Sequence, residues 1–380
     1  MIITHIHTRT LASGEQLNIP TFHFKGTDKN APSAYIQSSI HASEVQGCLV
    51  SLQLIEHFRK NPPLGNITLL PLTNPYAINH KVGDYTLGRF DPSTGENWNR
   101  LYEDLTHLVK DFLEKHSWAH FDQLIPLFKQ TLKQHLKQQG NGSYAKKLAR
   151  DLHMIAIMAD VVLDLHCDTT SIPHVYSVNY AVKSATHLGI PFIISIPSVF
   201  AHALDEAIFC PWIALTKVYN QNHKNGIPKK IPVEVFTVEL GSAEIISSQE
   251  ATQQANNILH YLSTKGICTD VPCNQPNLFY TCILNDFQTL YAPIGGLITN
   301  CAPLGQIAPA NKCLMHLTQP SLWCKTPKSK DIIAYSSQNI SLNCNTIPIT
   351  HSASAVVHEG MELMKVFTNY KTLHRNLITA

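Results

Sequence analysis

The sequence predicts an α/β fold, a mostly parallel or mixed sheet with helices on both faces, followed by a small all-β C-terminal domain. Three observations predict it. A strand–helix–strand pattern spans residues 34–72, buried apolar runs recur at 161–165 and 233–240, and the texture changes after residue 264. The division that follows is 1–270 for the α/β domain, 271–350 for the small β domain and 351–380 for a helical tail packing back on the body.

Each element has its own signal. AYIQSSI (34–40) is apolar-biased and reads as a strand, and Val45, Cys48, Leu49, Leu52, Ile55 and Phe58 then recur at helical spacing until Asn61-Pro62-Pro63 stops them. ITLLPL (67–72) is a second buried strand, so the trio is a βαβ unit and implies a parallel pair. After a loop at 83–96, three helical stretches fill 101–158. Phe121, Leu124, Ile125, Phe128, Leu132 and Leu136 form one apolar stripe, Gly140-Asn141-Gly142 breaks it, and Ser143 caps the next helix. VVLDL (161–165), the weaker PFIISI near Phe192, and VEVFTVEL (233–240) are strands, and 249–262 is a closing helix. Beyond 264, Gly, Pro, Asn and Cys punctuate short runs such as LITN and CLMHL, as in a small β domain, until helical spacing resumes near Ala353.

Composition limits the function. The chain has 380 residues, 44% of them hydrophobic, and Lys plus Arg at 29 against Asp plus Glu at 27 leaves +2. That balance excludes the basic footprint of a nucleic-acid binder. No apolar run approaches the roughly 18 residues of a membrane helix, and MIITHIHTRT lacks a signal-peptide core, so a soluble cytoplasmic protein is expected. The ten cysteines contain no C-x-x-C and read as free thiols acting as small hydrophobes. The basic run 325–330 and the helices of 105–147 read as solvated faces, or as a homo-oligomer contact.

Chemistry gathers at the strand ends. The strand at 34–40 runs into His41 and Glu44, that at 161–165 into His166, and that at 233–238 into Glu239; the one ending at Leu72 leads to Asn74 and on to Arg89, Asn99 and Arg100. Open α/β sheets bind ligands at the carboxyl ends of their strands. Two His and one Glu can hold a hydrolytic zinc that keeps a fourth position for water, with His41 and Glu44 reaching one ion if the chain turns between them. A separate carboxylate, Glu239, would accept the water's proton and pass it to the leaving amine. Cys167 beside His166 is not a nucleophile–base pair, because adjacent residues on an extended chain point apart.

HASEVQG, GRFDPSTGENWNR, LDLHCD and FTVELGS, in that order, resemble the succinylglutamate desuccinylase/aspartoacylase family, a branch of the zinc carboxypeptidase-like fold. YAPIGGLITNCAPLGQIA is similar to the family's small barrel-like module. The resemblance implies one Zn2+ per chain on His41, Glu44 and His166, with Glu239 as the catalytic glutamate. It implies further that Asn99 and Arg100 hold a substrate carboxylate and that Arg89 polarises the scissile carbonyl. Two departures stand out. The usual H-G-[DN]-E is here His41-Ala42-Ser43-Glu44, and the Asp of D-L-N-R is Asn97, a neutral acceptor for a ligand imidazole. Trp98 reads as core packing.

The function implied is a zinc-dependent amidohydrolase acting on an N-acyl amino acid or a similar small carboxylated amide. A carboxypeptidase on short peptides and a catalytically silent metal-binding relative are the alternatives. Retention of Glu239 and Arg100 argues against silence. The β domain is expected to shape the site without supplying chemistry.

Overall fold

The backbone is built on a ten-stranded mixed sheet. The computed structural model describes residues 1–140, 142–223, 227–325 and 337–375. The strands lie in the order Ile2–Thr10, Gln16–Phe24, Ile67–Leu70, Ala34–Ser38, Val161–Asp168, Glu234–Ser242, His174–Val178, Phe192–Ile196, Leu278–Ile283, Tyr370–His374. Ala34–Ser38 pairs in parallel with Ile67–Leu70 and with Val161–Asp168, which pairs in parallel with Glu234–Ser242. These central strands read as continuous apolar runs because they are buried, Val161–Asp168 along its whole length.

Helices pack in two groups. Gln46–Lys60 and Ser248–Thr264 pack on each other, and Gln46–Lys60 lies against Ala34–Ser38 and Val161–Asp168. Gly47 makes that approach close: a Cβ there would stand 2.8 Å from Ser38 Cβ and 3.0 Å from Leu165 Cβ. Val109–Lys115, Phe121–Gln138 and Tyr144–Ala156 form the second group around Leu204–Asn222, which lies on Glu234–Ser242. Of the Phe121–Gln138 stripe, all are buried except the half-buried Ile125, and Ser143 Oγ accepts from Lys146 N at the next helix start.

The C-terminal third departs from expectation in two ways. Residues 351–375 carry no helix but the strands Val356–Val357, Glu362–Phe367 and Tyr370–His374. Pairing of Glu362–Phe367 with both Phe287–Tyr291 and Ile347–His351 outweighs the helical propensity of its Glu, Leu, Met and Lys. Leu278–Ile283 and Tyr370–His374 also complete the large sheet, so the 271–350 and 351–380 segments are not separate layers. Two four-stranded sheets complete this region; one includes Thr170–Ser171 from the α/β body. The short runs LITN and CLMHL fall in or beside the strands Gly296–Cys301 and Met315–Thr318. In the basic run, residues 326–330 lie outside the described residues.

The amino-terminal hairpin, Ile2–Thr10 with Gln16–Phe24, and the Leu204–Asn222 helix are elements the sequence reading leaves out. Among the described residues no helix is long and apolar enough to cross a membrane.

Candidate metal centre and catalytic cavity

His41 follows the Ala34–Ser38 strand through a bend in which Ser39 takes φ +58, the left-handed region that non-glycine residues rarely occupy. Ser39 Oγ donates to the Glu44 carbonyl at 3.1 Å, and Asn74 Nδ2 donates to the Ile40 carbonyl at 3.1 Å, so the strained turn is held from both sides. The Gln46–Lys60 helix begins just after it, which brings Glu44 back over His41. Gly88 closes the turn from outside: its carbonyl accepts from Ala42 N, and a Cβ on it would lie 2.0 Å from Ala42 Cβ. A small residue between His41 and Glu44 is thereby explained, and Arg89 is delivered to the same rim.

The three expected ligands converge. Glu44 Oε1 lies 2.8 Å from His41 Nδ1, and Glu44 Oε2 lies 2.6 Å from His166 Nδ1; all three residues are buried. Behind the rings, His41 Nε2 is 2.9 Å from Asn97 Oδ1, and His166 Nε2 is 2.9 Å from Asp164 Oδ2. Asn99 Nδ2 is also 3.2 Å from His166 Nε2, while Asn99 Oδ1 is buried without a partner. Turning that amide by half a circle would present Oδ1 to the ring N–H. With Asn97 Oδ1 behind His41 and the turned Asn99 Oδ1 behind His166, where the Asp164 carboxylate adds a close charge contact, each Nε2 carries the proton and each Nδ1 turns a lone pair toward the carboxylate.

Lone pairs facing a carboxylate need a positive charge between them. Two protons can supply it. Burial pulls His166 down, but Asp164 and Glu44 outweigh it and hold the ring well above the usual histidine range. Burial pushes Glu44 up, and the His41 and His166 charges overcome this and hold it well below the usual carboxylate range. A divalent cation supplies the same charge to the same atoms, and two imidazole nitrogens with one carboxylate are a zinc-type donor set. The residues present therefore fit the metal.

Glu239 lies beside His166 in parallel register, at a bulge before Gly241, whose φ is +127. Its Oε2 is buried and has no partner. Burial pushes this carboxyl up to about 8, against the opposing charge of His166. Arg89 Nη1 is 3.4 Å from Glu44 Oε1, and Arg100 Nη1 donates to the Asn99 carbonyl at 2.7 Å; both side chains are exposed at the mouth. His41, Glu44, His166, Glu239, Arg89, Asn99 and Arg100 line one cavity of about 230 Å³, with Asn97 and Asp164 standing behind its wall. A larger depression of about 580 Å³ beside the Ser248–Thr264 helix holds no acid, histidine or cationic side chain.

Several residues in or behind the cavity wall lie outside the sequence reading. Asp164 stands two positions before His166 on one strand, so strand alternation alone puts both on one face. Gln37 Nε2 donates to Asp164 Oδ1 at 2.8 Å, and Tyr35 Oη donates to Gln37 Oε1 at 2.7 Å, which fixes the aspartate. Asp205, Glu206 and Tyr176 line another wall. Lys365, from the C-terminal strand Glu362–Phe367, lines it as well and reaches Asp168 Oδ2 at 3.0 Å. Lys365 comes from beyond the 271–350 segment that was expected to shape the site without supplying chemistry. Trp98 is 1% exposed and packs edge-on against Tyr144, a core role. Cys167 is buried and its thiol is pushed well above the usual cysteine range by burial, then by Glu44 and Glu239, the opposite of an activated nucleophile.

Comparison with known proteins agrees with this geometry. The profile of the succinylglutamate desuccinylase/aspartoacylase catalytic domain matches residues 30–264. A crystal structure from Shewanella frigidimarina, described as a succinylglutamate desuccinylase/aspartoacylase, is 36% identical over 98% of each chain, with TM-score 0.90. One from Shewanella amazonensis, described as a protein of that family, is 35% identical over 98% of this chain and 100% of the other, with TM-score 0.91. The product-bound ectoine utilization protein EutE of Ruegeria pomeroyi shares the fold at 13% identity, covering 96% of this chain and 94% of its own, with TM-score 0.66. Among curated proteins none matches the sequence. On the matched domain and these full-length relatives, the chain belongs to the succinylglutamate desuccinylase/aspartoacylase family of hydrolytic enzymes.

Proposed function

We propose that the protein is a zinc-dependent amidohydrolase that cleaves the amide of an N-acyl amino acid or a similar small carboxylated amide. The observation that carries this reading is the meeting, in one cavity, of a His41–Glu44–His166 donor set with the unpartnered carboxyl of Glu239. His41 Nδ1, Glu44 and His166 Nδ1 would hold the metal, which when bound supplies Lewis acidity and an acidified water. Glu239, set in a dry environment that raises its proton affinity, takes the proton of the attacking water and returns it to the leaving nitrogen. Arg100, with Asn99 behind it, pairs bidentately with the substrate carboxylate at the mouth. Arg89 faces the scissile carbonyl and exchanges its contact with Glu44 for that oxygen.

Cavity size favours a small substrate over a peptide. About 230 Å³ is below the roughly 300–1,000 Å³ of typical ligand pockets. Zinc-loaded protein should be assayed on a panel of N-acyl amino acids, each beside its carboxamide. Turnover of an acid with little turnover of its carboxamide is expected. Equal turnover of both would remove Arg100 from carboxylate recognition, and inertness across the panel would count against the amidohydrolase reading.

A further inference from the structure

Three positions beyond Arg100, outside the lining of the catalytic cavity, a second group of metal-ligating side chains comes together from separate elements. Glu103 lies in the segment after Arg100, His107 in the short turn Thr106–Leu108, and His135 in the Phe121–Gln138 helix. One ligand atom from each lies within 4.8 Å of the others. We propose that Glu103, His107 and His135, with Gln139 as a fourth donor, form a second binding site for a divalent transition metal.

The contacts around His135 point to a cation. Its Nε2 lies 2.9 Å from Glu103 Oε1 and 2.9 Å from Gln139 Nε2. A ring nitrogen is a donor or an acceptor, so it cannot satisfy a carboxylate and an amide NH2 together. Gln139 Nε2, which also reaches Glu103 Oε1 at 3.5 Å, and Gln139 Oε1 exchange places by a half-turn of the amide, and the ion would replace that long contact. Glu103 Oε1, Gln139 Oε1 and the His135 lone pair then face one another, three acceptors that a positive ion joins. His107 is already oriented for the same task. Its Nδ1 lies 2.9 Å from the Asp104 carbonyl, to which it donates, leaving Nε2 as the lone-pair nitrogen. A carbonyl behind a ligating imidazole fixes its tautomer in this way.

The donor set selects the ion class. Two imidazoles with a carboxylate suit zinc and its neighbours, whereas calcium and magnesium prefer oxygen alone. The two rings already stand 5.3 Å apart and near-perpendicular. Bound metal would tie the segment that follows Asn99 and Arg100 to the Phe121–Gln138 helix, and binding to the folded chain alone raises its stability.

The test counts zinc on the full-length chain. Parent protein and a His107→Ala/His135→Ala variant are saturated with zinc, desalted and analysed for bound metal. The variant is expected to hold one equivalent less than the parent, whatever the His41–Glu44–His166 group retains, and to lose part of the zinc-induced rise in melting temperature. Glu103→Gln, which keeps the shape, should weaken the same equivalent. Equal zinc in parent and variant, both folded by circular dichroism, overturns the proposal. Should the double variant fail to fold, His107→Ala at an exposed position replaces it, and equality again overturns the proposal.

Discussion

Behind the two proposed ligand rings stand groups of different charge, an amide at His41 and a carboxylate at His166. A carboxylate raises the basicity of the imidazole it receives from, and such partners change metal affinity by about 10–100-fold. Asp164→Asn is therefore expected to loosen zinc by about that factor with the fold kept, since Gln37 can still donate to the remaining oxygen. Chelator competition on the purified variant measures it, and unchanged affinity would show that Asp164 serves only the strand. The sequence made His41, Glu44, His166 and Glu239 legible because each lies in the carboxyl-terminal part of a recognisable buried strand, or follows one within a few positions. Asp164 was not, because inside VVLDL an aspartate is outweighed by its apolar neighbours, although its i, i+2 relation to His166 was in plain view. Lys365 had no local signal at all. Its place depends on a pairing between strands far apart in the chain.

Among the elements, the Leu204–Asn222 helix was hidden by its own burial. Leu204, Ala207, Ile208, Phe209, Cys210, Pro211, Trp212 and Leu215 are all buried, so no polar face marks the period, and Pro211 reads as a breaker. The Ala34–Ser38, Gln46–Lys60, Ile67–Leu70 unit was legible because its apolar spacing and its Asn-Pro stop agree with one another. Where the Leu204–Asn222 helix meets the Glu234–Ser242 strand, Asp205 Oδ2 accepts from Thr237 Oγ1 at 3.0 Å. Burial, then Glu206, raises Asp205 from 3.8 to about 6. A carboxyl whose folded value is raised favours the fold while protonated, and that contribution is lost as pH rises through about 6. Asp205→Asn removes the titration and lets the Thr237 hydroxyl donate or accept. The metal-free variant should melt with the parent near pH 4 and above it at pH 8, by at most about 3 kcal/mol at 1.36 kcal/mol per unit. Equal melting temperatures at pH 8 would mean that the ionised carboxylate is already compensated.

At the scale of the molecule, residues far apart in sequence complete one cavity. Two strands from beyond residue 270 extend the main sheet, Ile347, Ile349 and Phe367 join its core, and Lys365 enters the cavity beside Asp168. The change of texture after 264 was legible, but its meaning was not. Local composition says that short strands follow and leaves open which sheet they join. The central claim is that this chamber hydrolyses an amide with Glu239 moving the proton. The most direct measurement is the rate of zinc-loaded Glu239→Gln on the best N-acyl amino acid, with metal content and circular dichroism taken on the same sample. The account predicts an unchanged fold, parental zinc and a turnover lower by about a hundredfold or more, the usual range for lost acid–base assistance. A parental rate in a folded, zinc-replete variant would contradict it.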